Sequence, residues 1–294
     1  MSARIRLDIA YDGTSFSGWS RQPGLRTVQG EIEAALGLVF RRSGGAPGLV
    51  VAGRTDAGVH ATGQVAHLDL SAEQLQRLEW HRGEADGGVP ALARRINGIL
   101  GADSDIGISG SSIAPDGFDA RFSAVWRRYE YRIADGAVPW NPLERHRTLR
   151  HPGTLDPARM NEAARGLLGL HDWAAYCKQR EGATTIRTLQ EFHWERGADG
   201  ILVARVRADA FCHSMVRSLV GACIAVGEGR LEPGELAGIR DAMERTAAFA
   251  VAAAKGLTLT EVGYPPDAEL RARAERTRAR REPGESLTAE PRIG

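Results

Sequence analysis

One carboxylate in this chain sits where chemistry is easy to build. In Ala52-Gly53-Arg54-Thr55-Asp56-Ala57-Gly58-Val59-His60, Asp56 follows an arginine by two residues and lies between two glycines. Glycines tolerate positive φ and let backbones approach closely, which suits a sharp turn that holds a side chain out. The apolar Leu49-Val50-Val51 before it reads as a short buried strand. A carboxylate presented where a strand ends is placed to act as nucleophile or base, with Arg54 expected to hold it. The competing reading is a structural turn whose aspartate caps a helix, since Asp and Gly are ordinary turn residues.

The rest of the inventory narrows what Asp56 could serve. There is no Gly-x4-Gly-Lys-Ser/Thr loop, so nothing points to nucleotide hydrolysis. No Cys-x-x-Cys or His-Glu-x-x-His pair argues for a catalytic metal, and no Gly-x-Ser-x-Gly elbow is present. A carboxylate in a glycine loop remains, with arginines and aromatic residues on a strand. That set suits an enzyme that modifies a base in RNA. Arginines bind phosphates, an aromatic ring holds an extruded base, and a carboxylate supplies covalent catalysis without a cofactor. A base inside a stem must leave the stack before it can be modified. Arg94-Arg95, Arg127-Arg128 and Arg145-His146-Arg147 are basic clusters suited to a phosphate backbone.

Holding such a loop takes a scaffold, and the patterning predicts one. Ile5, Leu7 and Ile9 alternate with Arg6 and Asp8, a strand that runs into the turn Tyr11-Asp12-Gly13-Thr14. Val28, Ile32, Ala35, Leu36 and Val39 share one face of a helix, with Thr27 as N-cap and Glu31 in the first turn. Gln64, Ala66, Leu68 and Leu70 predict another strand. Residues 71–88 are polar with a helical start, 91–100 read as a short helix, and 101–117 hold at best a short strand around Ile106 and Ile108. A domain boundary is expected near that last stretch. Beyond it, Val125, Tyr129, Tyr131 and Ile133 alternate with Trp126, Arg128, Glu130 and Arg132, and Arg127 interrupts the apolar face. A helix is predicted over 157–168 with Asp156 as its cap. Phe192 and Trp194 start a hairpin that turns at Gly197-Ala198-Asp199-Gly200 and returns through Leu202, Ala204, Val206 and Ala208. Helices over 215–226 and 233–245 and a strand through Leu257, Leu259 and Val262 complete the pattern. Both halves therefore read as related α+β lobes, 1–115 and 116–266. Residues 267–294, with Arg271, Arg273, Arg276, Arg278, Arg280 and Arg281, read as a charged, disordered tail or frayed helix.

Composition sets the outer bounds. The 294 residues are 43% hydrophobic and 26% charged, ordinary values for a soluble globular chain. No run of about 18 uncharged apolar residues predicts a membrane span. The N-terminus enters a strand pattern without an apolar h-region, so a cytoplasmic protein is expected. Cys177, Cys212 and Cys223 are too few and scattered for a disulfide framework or zinc site, and each is expected to be a small buried hydrophobe. A net charge of +1 neither requires nor excludes a polyanionic partner, so any RNA face must come from local clustering.

Five segments, in order from about residue 4 to 265, resemble the tRNA pseudouridine synthase A (TruA) family. They are the Asp56 loop; Tyr11-Asp12-Gly13 with Gly18-Trp19 and Thr27-Val28-Gln29; Phe118-Asp119-Ala120-Arg121-Phe122-Ser123-Ala124 with Arg127-Arg128-Tyr129-Glu130-Tyr131; Phe211-Cys212-His213-Ser214-Met215-Val216-Arg217 with Gly221; and Lys255-Gly256-Leu257-Thr258-Leu259 running to Gly263-Tyr264-Pro265. The resemblance implies the pseudouridine synthase fold: two related α+β lobes with mixed, mostly antiparallel sheets flanked by helices around a central RNA-binding cleft. It implies isomerisation of uridine in the tRNA anticodon stem-loop, at positions 38, 39 and 40, by a homodimer without metal or organic cofactor. Asp56 would be the nucleophile, Tyr129 would stack on the base and assist deprotonation at C5, and Arg217 would keep Asp56 ionised and aimed. Arg54 would contact the RNA backbone, and Leu257 would line the base pocket. Without the resemblance, Tyr129 reads as a core aromatic and Arg217 as a helix-end residue. His60 and His213 are read as structural.

The chain departs from the family pattern in three places. Ser20 stands where the family usually carries Gln, the Leu-Pro turn usual near 97–101 is missing, and the arginine-rich extension lies beyond the usual end. Two other functions stay open on the residues alone. One is a non-catalytic RNA-binding protein on the same scaffold. The other is a small-molecule hydrolase, which would need a second carboxylate beside Asp56.

Overall fold

The computed structural model describes residues 2–81, 84–85, 87–178 and 184–278. Its strands are β1 (Ala3–Tyr11), β2 (Val50–Val51), β3 (His60–Leu70), β4 (Trp80–His81), β5 (Glu84–Ala85), β6 (Ile106–Ile113), β7 (Trp126–Ala134), β8 (Leu149–Arg150), β9 (Gly169–Asp172), β10 (Ile186–Arg196), β11 (Leu202–Ala208) and β12 (Leu257–Gly263). Its helices are α1 (Val28–Val39), α2 (Ala72–Glu79), α3 (Ala91–Leu100), α4 (Pro157–Arg165), α5 (Met215–Gly227), α6 (Glu235–Asp241) and α7 (Leu270–Arg278). This is an α+β architecture built on one large mixed sheet, ordered β6-β1-β3-β12-β7-β11-β10-β9, with β2 added beside β3 and β8 beside β7.

The pairing is antiparallel except for β12 with β3 and β7 with β8. The β12–β3 contact is one of the two parallel pairings and joins two sets of strands. Strands β1, β3 and β6 come from residues 3–113 and β7, β9, β10 and β11 from residues 126–208, and β12 enters between them. Because β12 runs parallel to β3, with Thr258 opposite His60, the loops that lead into both strands lie at the same end of the sheet.

Alternating burial explains why these residues form strands. Ile5, Leu7, Ile9 and Tyr11 are buried on β1, and Tyr129, Tyr131 and Ile133 on β7, while their neighbours are half-exposed. Thr27 caps α1 by accepting the Gly30 N–H, and Asp156 caps α4 by accepting those of Ala158 and Arg159. Helix α5 is buried on every side, and Arg217 is the residue of it left partly exposed.

The structure departs from the sequence reading in several places: strand β9 was not predicted, and β10 begins at Ile186, ahead of the predicted start at Phe192. The glycine- and serine-rich stretch after α3 is an eight-residue strand, β6, paired along β1 by backbone bonds that side-chain pattern does not report. The Asn97 side chain fixes it by bonding both the N–H and the carbonyl of Ile108. Helices α4 and α6 are shorter than the predicted 157–168 and 233–245. Cys177 and Cys212 are disulfide-bonded with their Cα atoms 5.8 Å apart, and Cys223 is free and buried. Finally, 270–278 is helix α7, docked rather than solvated. Leu270 and Ala274, at helical spacing, are buried, Arg271 pairs with Asp116, and Arg278 pairs with Asp119 and lies over the Phe122 ring. Arg280, Arg281 and the rest of the tail lie outside the described residues.

Candidate active site

The loop that carries Asp56 is held through its backbone. Ala52 N–H bonds the Val65 carbonyl, Gln64 Nε2 donates to the Gly53 carbonyl at 2.8 Å, and Trp19 N–H donates to the Thr55 carbonyl at 3.1 Å. The Thr55 hydroxyl meets the Tyr11 hydroxyl at 2.8 Å. Burial pushes the Tyr11 phenol up to about 12, so it stays protonated as a structural donor. Gly58 takes φ +76° and its N–H reaches the Phe16 carbonyl. Two glycines of the N-terminal signature let this happen. A Cβ on Gly13 would fall 2.0 Å from the Val59 carbonyl oxygen, and Gly18, at φ +96°, presses on Thr55 and Ala57.

Arg127, read as a break in an apolar strand face and as half of a basic cluster, spends its guanidinium on backbone carbonyls beside the loop. Its guanidinium donates to the carbonyls of Ala52, Arg121 and Asp209 at 2.8–3.0 Å. One planar fork thus ties the base of the Asp56 loop to the segments of Arg121 and Asp209. Burial lowers its pKa from the usual arginine value.

The Asp56 carboxylate is about one-third exposed, with 32% of its side chain open to solvent, so it can meet a ligand while still gripped. Its partners come from the start of α5. His213 Nε2 lies 3.5 Å from Oδ1, Ser214 Oγ lies 3.4 Å from Oδ2, and Arg217 Nη1 lies 3.9 Å from Oδ2. Ser214 holds a left-handed backbone, φ +64°, uncommon for a residue other than glycine. That turn aims the two residues before α5 at the carboxylate. The Arg217 Nε is bonded to the Ala252 carbonyl at 2.7 Å, which fixes the guanidinium plane.

The structure therefore corrects one expectation. Arg54 does not hold Asp56; it is exposed and has no hydrogen bond or ion pair among the described residues. Neighbours in a tight turn splay apart, and the cation beside Asp56 arrives from a distant helix. His213, read as structural, lies beside the carboxylate instead, and Ser214 was not singled out as a site residue. Helical spacing could not have found them, because both precede α5 and Ser214 takes a left-handed turn.

Tyr129 lies buried on β7, opposite Leu259 of β12 and Val206 of β11. It meets the Phe211 ring edge-on at 5.2 Å. Its hydroxyl has no hydrogen-bond partner among the described residues. Burial, and then the nearby Tyr11 and Asp56, hold the phenol well above its usual range, so it is neutral and able to donate. Leu257 opens β12, buried, opposite Tyr131 and one residue from the Thr258–His60 pair. The turn before it is pinned by the Tyr131 hydroxyl on the Ala253 carbonyl at 2.8 Å and by His60 on the Lys255 carbonyl at 3.1 Å. Asp56 and Arg217 thus meet directly, Tyr129 lies within the field of Asp56, and Leu257 sits on the adjoining strand. Among the described residues, no group of three or more His, Cys, Asp or Glu could hold a metal ion.

The arrangement can present one anchored carboxylate beside an arginine, an imidazole and a neutral phenol. Comparison with known proteins bears on that set. A family profile described as tRNA pseudouridine synthase matches residues 163–265. The chain is 61% identical over 282 residues to the tRNA pseudouridine synthase A of Leifsonia xyli subsp. xyli, covering 95% of this chain and 98% of that one. It is 54% identical to the tRNA pseudouridine synthase A of Frankia casuarinae, covering 95% and 96% of the two chains. It is 51% identical to that of Streptomyces avermitilis, covering 95% and 94%.

Proposed function

The chain belongs to the tRNA pseudouridine synthase A family and is an isomerase, and from that premise we propose that it converts uridine to pseudouridine at positions 38, 39 and 40 of the tRNA anticodon stem-loop, with Asp56 as nucleophile. The observation that carries the reading is the grip on Asp56 by Arg217, His213 and Ser214 at a partly open position. In the reaction the glycosidic bond from C1′ to N1 breaks and a bond from C1′ to C5 forms. The proton on C5 leaves and N1 gains one, so no redox partner is needed. Asp56 would attack the uridine and hold it while the base turns. Tyr129 would stack on the base, and as a neutral phenol it would take the C5 proton only while handing its own hydroxyl proton on towards N1, directly or through water, so that it ends the step neutral. Leu257 would pack on the base, and Arg54, exposed and unpaired among the described residues, would take a phosphate.

The target base must leave its stack to reach a half-buried carboxylate, which the division into lobes 1–115 and 116–266 around a cleft would serve. A homodimer acting in the cytoplasm completes the proposal. No helix among the described residues is long and apolar enough to cross a membrane. The test is incubation with an unmodified tRNA transcript carrying uridines at 38 to 40, followed by chemical labelling and primer extension. Pseudouridine at those positions is expected. Tight RNA binding with no modified uridine would favour the non-catalytic binding protein instead.

A further inference from the structure

We propose that His60 is a positioning residue for Asp56, an imidazole clamp that joins three separate segments at the sheet end where the reaction would occur. The inference rests on the reading of Asp56 as nucleophile. His60 ends the Asp56 loop and begins β3, and only 5% of it is exposed. Its Nδ1 accepts the Gly13 N–H at 3.0 Å, and its Nε2 donates to the Lys255 carbonyl at 3.1 Å. The partners set the roles of the two ring nitrogens: the Gly13 N–H calls for a bare Nδ1 and the Lys255 carbonyl for Nε2–H. The Asp12 carboxylate stands 3.1 Å from the same Nδ1 but is occupied by the Thr14 N–H and hydroxyl.

Each end of the clamp reaches a different part of the site. Gly13 abuts Val59 so closely that no side chain fits between them, so fixing Gly13 fixes the exit of the Asp56 loop. Lys255 precedes Gly256 and Leu257, so fixing its carbonyl fixes the turn that presents Leu257. Gly58 leaves only 3.2 Å between an added Cβ and Ala254, which joins the two loops a second time. The parallel His60–Thr258 register places all of this where the two halves of the sheet meet. Because His60 is buried behind the loop, it acts on Asp56 through geometry.

Two substitutions each keep half of the clamp. His60→Asn offers an acceptor in place of Nδ1 and loses Lys255, whereas His60→Gln offers a donor in place of Nε2 and loses Gly13. The full-length wild type and both variants are compared by amide hydrogen exchange over 53–59 and by single-turnover modification and binding of one tRNA transcript. Expected are folded variants whose 53–59 amides exchange at least about tenfold faster, whose modification rate falls at least about tenfold, and whose tRNA affinity stays within about threefold. Exchange equal to wild type in both variants overturns the proposal, and so does a rate loss matched by an equal loss of affinity. If wild type forms no pseudouridine, the proposed reaction fails while the exchange measurement still decides the clamp.

Discussion

Arg217 serves two masters: its Nη1 lies 3.9 Å from the Asp56 carboxylate while its Nε donates to the Ala252 carbonyl at 2.7 Å. The peptide of Ala252 returns the bond, donating its N–H to the Arg217 carbonyl at 3.0 Å. The guanidinium is thus locked to the 252–257 turn on one side and faces the carboxylate on the other. A lysine retains the charge but has no second nitrogen with which to do both. Arg217→Lys is therefore expected to lower the single-turnover modification rate by about 10- to 100-fold with the fold intact. Near-normal turnover in that variant would remove Arg217 from the mechanism.

Arg54 makes a different prediction because it is exposed and has no partner in the described structure. A phosphate contact releases a counterion, so Arg54→Ala should weaken tRNA binding and reduce the slope of log affinity against log salt by about one. Titrations between low and moderate salt check this. An unchanged slope would mean that Arg54 touches no phosphate.

Gly18 holds φ +96°, and an added Cβ would stand 3.0 Å from the Thr55 carbonyl oxygen. Gly18→Ala should cost about 1–2 kcal/mol from backbone strain alone and displace the Thr55–Asp56 peptide. Urea unfolding measures the first effect and the modification rate the second. Stability and rate both at wild-type values would show that the close approach is not needed.

How much of this was legible in the sequence depended on which force built each part. Strands β1, β7 and β11 and the end of β10 from Phe192 were readable because their buried and exposed faces differ, and period-two alternation reports that difference directly. Strand β6 was not, because an edge strand of Gly and Ser is made by backbone pairing to β1. Helix α7 was hidden because two apolar residues among arginines carry its docking. At the site, Asp56 and its glycines announced themselves. The cation beside Asp56 did not: local order suggested Arg54, whereas Arg217 reaches it by topology that no periodicity encodes. Its assignment came from resemblance to the family. The clamp of His60 and the fork of Arg127 were also silent, since their partners are main-chain groups without identity.

His67 supplies a pH dependence independent of catalysis. It is buried on β3, accepts the Ala120 N–H at Nδ1, and is pulled down to about 4 by burial and then by Arg4. An unfolded histidine titrates near ~6.5, so between these values the unfolded chain binds the extra proton. His67 therefore contributes its full stability above about pH 6.5 and loses it as pH falls toward 4. His67→Asn keeps an acceptor for Ala120 and does not titrate. Its urea midpoint should change less between pH 7 and 5 than that of wild type, and an equal change would show that His67 is not the group responsible.

The most direct test of the central claim compares wild type with Asp56→Asn on the same unmodified tRNA transcript, with pseudouridine mapped by chemical labelling and binding measured in parallel. Asparagine preserves the shape and removes the nucleophilic charge. Modification at positions 38 to 40 is expected with wild type and none with Asp56→Asn, with similar tRNA affinity for both. Modification by Asp56→Asn at the wild-type rate would contradict the central claim.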